Sequence, residues 1–91
     1  MDLQTLRQQI NQIDQELIDL IVSRFAVAQE IAKLKTNKDH VYDAAREQEL
    51  LSLWLESGSE LDQNFLRALF HLILNESRNI IIRNAKGSSE K

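Results

Sequence analysis

Apolar residues recur along the first third of the chain at the spacing of one helix face. Steps of three and four residues keep side chains on the same side of an α-helix. The pattern breaks only at Arg24, where the next apolar residue is due. It predicts one helix over about residues 3–35 with a long apolar stripe. The stripe consists of Leu3, Leu6, Ile10, Ile13, Leu17, Leu20, Val27, Ile31 and Leu34.

The rest of the chain predicts two shorter helices. The polar segment TNKDH predicts a loop, Asp43 suits the N-cap of a second helix, and SGS at 57–59 ends that helix. A third helix is predicted from Asp62 to about Asn84. The second helix carries Leu50, Leu51, Leu53, Trp54 and Leu55, and the inner side of the third carries Leu66, Leu69, Phe70, Ile73, Ser77, Ile80 and Ile81. With no proline and only two glycines, the chain predicts an all-α domain over 1–86 and a flexible tail over 87–91.

The predicted first helix is too long for the domain that it belongs to. At 1.5 Å per residue it spans about 50 Å, whereas a compact domain of this size has a radius of gyration of about 12 Å. Two shorter helices cannot cover the whole stripe by themselves. We therefore expect a homodimer in which the long helices pair and bury the exposed part of each other's stripe.

Composition narrows the possible functions. The chain has 43% hydrophobic and 27% charged residues, which is typical of a single globular domain. The absence of cysteine excludes a disulfide framework and a thiol nucleophile, and two isolated histidines do not indicate a metal site. A net charge of −3 argues against a nucleic-acid partner. Neither a signal peptide nor a membrane span is predicted, so cytoplasmic residence is the default expectation.

Several polar residues occupy positions that should face inward. Arg24 interrupts the stripe, and Lys35 follows eleven residues later, nearly in line with it. Asp43, Arg46 and Glu47 are spaced to share a side with Leu50, and Ser77 stands within the inner side of the third helix. Buried charges need partners. The pattern therefore indicates either a structural ion-pair network or a pocket for an anionic ligand, and spacing alone does not choose between them.

Arg7 borders the same stripe but lies far from the other cations. Seventeen residues separate it from Arg24, which corresponds to about 25 Å along a helix. The two arginines cannot share a small ligand within one chain. In an antiparallel dimer, however, Arg7 of one subunit would approach Arg24 and Lys35 of the other.

Four segments together resemble the all-helical, or type II, chorismate mutase family over about residues 3–82. They are LRQQINQIDQELIDLIVSR, AKLK, DAAREQELL and LFHLILNES, in that order. The resemblance implies an interlocked homodimer of three-helix chains that rearranges chorismate to prephenate without a cofactor or a metal. This pericyclic step belongs to the shikimate pathway of aromatic amino acid biosynthesis.

The resemblance also assigns roles to the inward polar residues. It implies that Arg24, and Arg7 from the partner subunit, bind the substrate's carboxylates, and that Lys35 donates to the ether oxygen as the carbon–oxygen bond breaks. Asp43 and Glu47 would hold the ring hydroxyl. The remaining matches imply that Arg46 orders that corner and Ser77 contacts the ring carboxylate. Lys35, Arg24 and Glu47 are thus the predicted catalytic residues.

The third helix departs from the family pattern at two positions. Ile81 stands where bacterial members carry glutamine or glutamate, which shares the ether oxygen with the lysine, and Arg78 replaces a residue that is commonly apolar. Both residues are expected to line the substrate site. Because Ile81 cannot donate a hydrogen bond to the ether oxygen, we expect a weakened mutase in which Arg78 partly replaces the missing donor. The alternatives are a related enzyme acting on isochorismate as a pyruvate lyase or on 4-amino-4-deoxychorismate, and a non-catalytic dimer that regulates a partner.

Overall fold

The described residues fold into three α-helices. The computed structural model describes residues 2–34 and 43–89, with side chains described as far as residue 84. The helices are α1 (Leu3–Leu34), α2 (Ala44–Ser57) and α3 (Gln63–Ser89). The all-α prediction is therefore confirmed. The predicted TNKDH loop lies outside the described residues.

The third helix is longer than predicted. It continues to Ser89 instead of ending near Asn84, and so it passes through Gly87. A single glycine costs a helix only about 1 kcal/mol relative to alanine. Since no proline follows it, nothing in the sequence forces the helix to end there. The division into a domain over 1–86 and a tail over 87–91 stays a prediction.

All three helices begin at an aspartate whose side chain caps the first turn. The carboxylates accept backbone hydrogen bonds from Thr5 to Asp2 (2.8 Å), from Arg46 to Asp43 (3.1 Å) and from Phe65 to Asp62 (2.8 Å). Each bond satisfies an N–H group that has no partner within the helix. At Asp2 the backbone and side-chain hydrogen bonds from Thr5 favour the ionised carboxylate and lower its pKa. The predicted N-cap at Asp43 is confirmed.

The core lies along α3 and faces α2. Phe70 is 1% exposed, and its ring meets the edge of Trp54 at a centroid distance of 5.2 Å. Leu66, Leu74 and Ser77 complete the buried line, which follows the predicted inner side except for Leu74, a position absent from the prediction. Spacings of three and four residues place these side chains on one face of α3.

The α2–α3 connection turns tightly at Gly58. Its N–H donates to the Trp54 carbonyl at 2.8 Å and ends α2. A Cβ atom added to Gly58 would lie 2.6 Å from Leu66 Cδ1 and 3.2 Å from the Trp54 oxygen. Glycine is suited to this position because it lets α3 approach the end of α2.

Within the described residues, only the C-terminal half of α1 packs against the other helices. Side chains from Leu3 to Leu20 are exposed, whereas Ile21, Phe25 and Ala28 are half-buried, and α1 packs against α3. A hydrogen bond of 2.8 Å from Asn84 Nδ2 to Gln29 Oε1 joins the two helices. The molecule measures 54 × 31 × 17 Å, as expected for a helix that overhangs its own domain.

The long apolar stripe of α1 is not buried by α2 or α3, although we expected these helices to cover part of it. Every residue of the stripe is exposed, from 44% at Leu6 to 83% at Leu34. The packed residues Ile21, Phe25, Ala28 and Ala32 lie on a neighbouring face of the same helix. The single chain thus leaves a long row of apolar side chains exposed along α1, and clustered exposed apolar residues of this kind mark interaction surfaces.

Candidate active site

The candidate site lies at the end of the bundle where α2 begins. Glu47 contacts Arg78, and Trp54 contacts Phe70. Residue numbers therefore rise along α2 as they fall along α3, so the two helices are antiparallel. This register brings the first turn of α2 beside the segment of α3 that carries Ser77 and Ile81. Because Gln29 bonds to Asn84, α1 reaches the same end of the bundle.

An ion pair between Glu47 and Arg78 connects α2 to α3 at this site. Arg78 Nη2 donates to Glu47 Oε2, and the two side chains are only 27% and 22% exposed. Arg78 Nη1 also donates to Asn75 Oδ1 at 2.9 Å. Partial burial reduces the screening of the attraction between the two charges by water. The pair places a negative and a positive group side by side in the site.

The wall contributed by α3 combines a hydroxyl, a guanidinium and an alkyl group. Ser77 is 8% exposed, and the next residue, Arg78, holds Glu47. Ile81 is half-buried one turn after Ser77 and offers no hydrogen-bond donor. The wall therefore has donors at 77 and 78 but none at 81.

The other predicted cations are placed very differently from one another. Arg24 is half-buried on the part of α1 that packs against α3, where a positive charge suits an anionic ligand. Arg7 is exposed on the overhanging half of α1. Lys35, the predicted donor to the ether oxygen, lies outside the described residues. Within one chain, the ion pair joins Glu47 to the segment of α3 that carries Ser77, Arg78 and Ile81. Arg24 lies on the part of α1 that reaches this end of the bundle, whereas Arg7 lies on the overhanging half.

The expectation that Asp43 and Arg46 face inward is wrong for the single chain, since both are exposed. The Asp43 carboxylate caps α2, and Arg46 reaches along the helix to form an ion pair with Glu49. A long charged side chain avoids the cost of desolvation by keeping its charged end in water. Arg46 is therefore part of a structural ion pair, which was one of the two interpretations of the sequence. The contact between Glu47 and Arg78 is also an ion pair within the chain.

Two other features of the described structure, His71 and an apolar depression, are less suited to binding a small anion. His71 is exposed and meets the edge of the Phe70 ring, at a centroid distance of 5.6 Å. A shallow depression near Trp54, Gly58 and Leu66 has an apolar lining without charged side chains.

Among the described residues, no three histidine, aspartate or glutamate side chains converge as metal ligands would. The described helices also lack the combination of length and apolarity that a membrane span requires.

Comparison with known families agrees with the geometry. The family model described as chorismate mutase type II matches residues 6–81, which is most of the chain. The chain belongs to the type II chorismate mutase family. Comparisons with curated proteins and with solved structures gave no match. The family predicted from the sequence is thus confirmed. The matched span contains every predicted site residue of this chorismate mutase-family chain.

Two contacts that position the candidate site were not predicted from the sequence. One is the hydrogen bond between Gln29 and Asn84, and the other is the support that Asn75 gives to Arg78. Asn75 precedes Arg78 by three residues, which is a contacting distance on a helix, so this signal was present in the sequence. Gln29 and Asn84 are 55 residues apart, and no local pattern connects them.

Proposed function

We propose that the protein is a chorismate mutase that converts chorismate to prephenate. The proposal is supported by the part-buried ion pair that joins Glu47 to Arg78 beside the buried Ser77, in a chain whose family match spans residues 6–81. Chorismate carries two carboxylates, an ether oxygen and a ring hydroxyl. Guanidinium groups suit carboxylates, and a carboxylate accepts from a hydroxyl.

The reaction needs positioning and electrostatics more than reactive groups. One carbon–oxygen bond breaks and one carbon–carbon bond forms within the same molecule, without a change in its composition. The site accelerates this step by holding the flexible dianion in a compact conformation. Donors aimed at the ether oxygen stabilise the charge that develops there in the transition state. In our proposal Lys35 is this donor, and Arg24 binds a carboxylate.

The proposed active form is a homodimer. The exposed stripe on α1 supports it, because a continuous apolar surface of this length needs a partner. The exposed position of Arg7 on the overhanging half of α1 also fits an antiparallel pairing, in which Arg7 completes the partner's site beside Arg24. Each of the two sites would then contain residues from both chains.

The remaining site residues have supporting roles in the proposal. Glu47 and Asp43 accept from the ring hydroxyl, Ser77 contacts the ring carboxylate, and Arg46 orders the first turn of α2 once the partner chain is present. Ile81 lines the pocket without a donor, which makes the enzyme slower than relatives with glutamine there. We place the enzyme in aromatic amino acid biosynthesis and in the cytoplasm.

The decisive experiment is a product-resolved incubation with chorismate. The purified protein should form prephenate above the uncatalysed background. Lys35→Ala should reduce turnover by orders of magnitude while the fold is retained. Lys33→Ala is the matched control, because Lys33 is exposed and pairs only with its helical neighbour Glu30 in the structure described. No prephenate from a folded wild-type protein would refute the proposal and direct the search to isochorismate, 4-amino-4-deoxychorismate or a binding role.

A further inference from the structure

The ion pair between Glu47 and Arg78 bears on which ring substituent the site accepts. This inference rests on the proposed function, in which Glu47 faces the ring substituent of the substrate. Relatives of chorismate differ at this point: the substituent is a neutral hydroxyl in chorismate and an amine in 4-amino-4-deoxychorismate. An aliphatic amine is a cation at neutral pH, as lysine is. The net charge around Glu47 therefore determines which of the two substrates the site binds better.

Glu47 keeps the ability to accept a hydrogen bond while it is paired. A carboxylate has about four lone-pair sites, so a guanidinium on one oxygen leaves sites for a second donor. The second donor can be a neutral hydroxyl, which needs an acceptor but no net negative charge. Because Asn75 also binds the guanidinium of Arg78, that group is held beside the carboxylate.

An ammonium group would meet a different electrostatic environment. Attraction to the Glu47 carboxylate would be offset by repulsion from the Arg78 guanidinium, which contacts the same carboxylate. Both side chains are about three-quarters buried, so water screens this repulsion less than it would at the surface. The pair offers an acceptor without a net negative charge. The Asp43 carboxylate also lies near the proposed ring position, but it is exposed to water and caps α2, so its charge is screened more than that of the pair.

We propose that Arg78 is a specificity-determining residue that makes the site select a ring hydroxyl over a ring ammonium. Arg78 does this by neutralising Glu47, and it is a positioning residue because it acts through that carboxylate. An apolar residue at position 78 would leave the charge of Glu47 available to an ammonium. The chain thus favours chorismate or another hydroxyl-bearing analogue over the amino analogue.

The test compares kcat/KM for chorismate and for 4-amino-4-deoxychorismate, with each product resolved. Wild-type protein should prefer chorismate. Arg78→Met should shift the ratio of the two kcat/KM values towards the amine by about tenfold or more, which corresponds to about 1.4 kcal/mol. Arg78→Lys keeps the positive charge and should retain the wild-type preference. Arg83→Met is the matched control, because it removes an arginine of α3 that pairs with Glu76 in a more exposed position.

The outcomes separate the inference from the proposed function. A wild-type protein that is active on chorismate, with an unchanged ratio in Arg78→Met, overturns the inference and leaves the function standing. A wild-type preference for the amine overturns the inference as well. A folded protein that is inactive on chorismate overturns the proposed function and the inference with it. If Arg78→Met does not fold, Arg78→Gln removes the same charge, keeps a donor for Glu47, and should show the same shift.

Discussion

The exposed stripe of α1 allows a quantitative test of the proposed dimer. Ile13 and Leu17 lie at its centre and are 55% and 53% exposed in the single chain. Burying a side chain of this kind completely stabilises by about 1.5–3 kcal/mol, so covering the exposed half stabilises by about 1 kcal/mol. A two-fold interface contains each residue twice. Replacing both residues should therefore cost the dimer about 4 kcal/mol, or roughly a thousandfold in Kd.

The perturbation is Ile13→Asp combined with Leu17→Asp, and the assay is sedimentation velocity at micromolar concentration. Wild-type protein should sediment as a dimer, at twice the chain mass of 10.5 kDa. The double variant should sediment as a monomer, because its carboxylates would also have to be desolvated in the interface. Mutase activity should fall with dissociation, since in the proposed dimer Arg7 completes the partner's site.

The matched control is Gln8→Asp combined with Asn11→Asp. These residues are exposed on the opposite side of α1, so the control adds the same charge without touching the stripe. It should remain a dimer. A wild-type protein that sediments only as a 10.5 kDa species would refute the dimer. A dimeric stripe variant would show that the subunits associate through another surface.

Four further measurements test the fold and the site. Phe70→Ala should lower the free energy of unfolding by about 3–5 kcal/mol in urea denaturation, because the ring is fully buried; a loss below about 1 kcal/mol would contradict its place in the core. Gly58→Ala should cost about 1–3 kcal/mol in the same assay, since the added Cβ overlaps Leu66; unchanged stability would show that Leu66 moves aside freely. Ile81→Gln should raise kcat for chorismate by about tenfold by restoring a donor, and an unchanged kcat would indicate that position 81 does not approach the ether oxygen. Hydrogen bonding lowers the pKa of Asp2 below its ordinary value of 3.8, so the cap at Asp2 should stabilise the fold above pH 3.8 and lose this effect as the pH falls through the lowered pKa. In an acid titration followed by circular dichroism, wild-type protein should lose helix signal in a step that Asp2→Asn lacks. Identical titration curves for the two proteins would contradict the prediction.

The sequence by itself determined the helices and much of the core. Apolar spacing identified all three helices, and aspartate at a helix start predicted the cap at Asp43. The inner side of α3 was identified from the same periodicity, including the buried hydroxyl of Ser77. These features depend on residues within one or two helical turns of each other, so local chemistry is sufficient to specify them. The family was also readable from the order and spacing of its motifs.

The tertiary structure decided which surfaces and charges meet. Periodicity identified the apolar stripe of α1, but not that the half-buried side chains, among them Phe25 and Ala28, lie on a neighbouring face. Helical spacing placed Arg46 and Glu47 on one side of α2, yet only Glu47 reaches across to α3 and binds Arg78. A small difference in the direction of a side chain around the helix axis determines whether its charged group is hydrated or forms an ion pair with another helix. That choice depends on how the helices are packed, which involves residues far apart in the sequence, so no local pattern contains it.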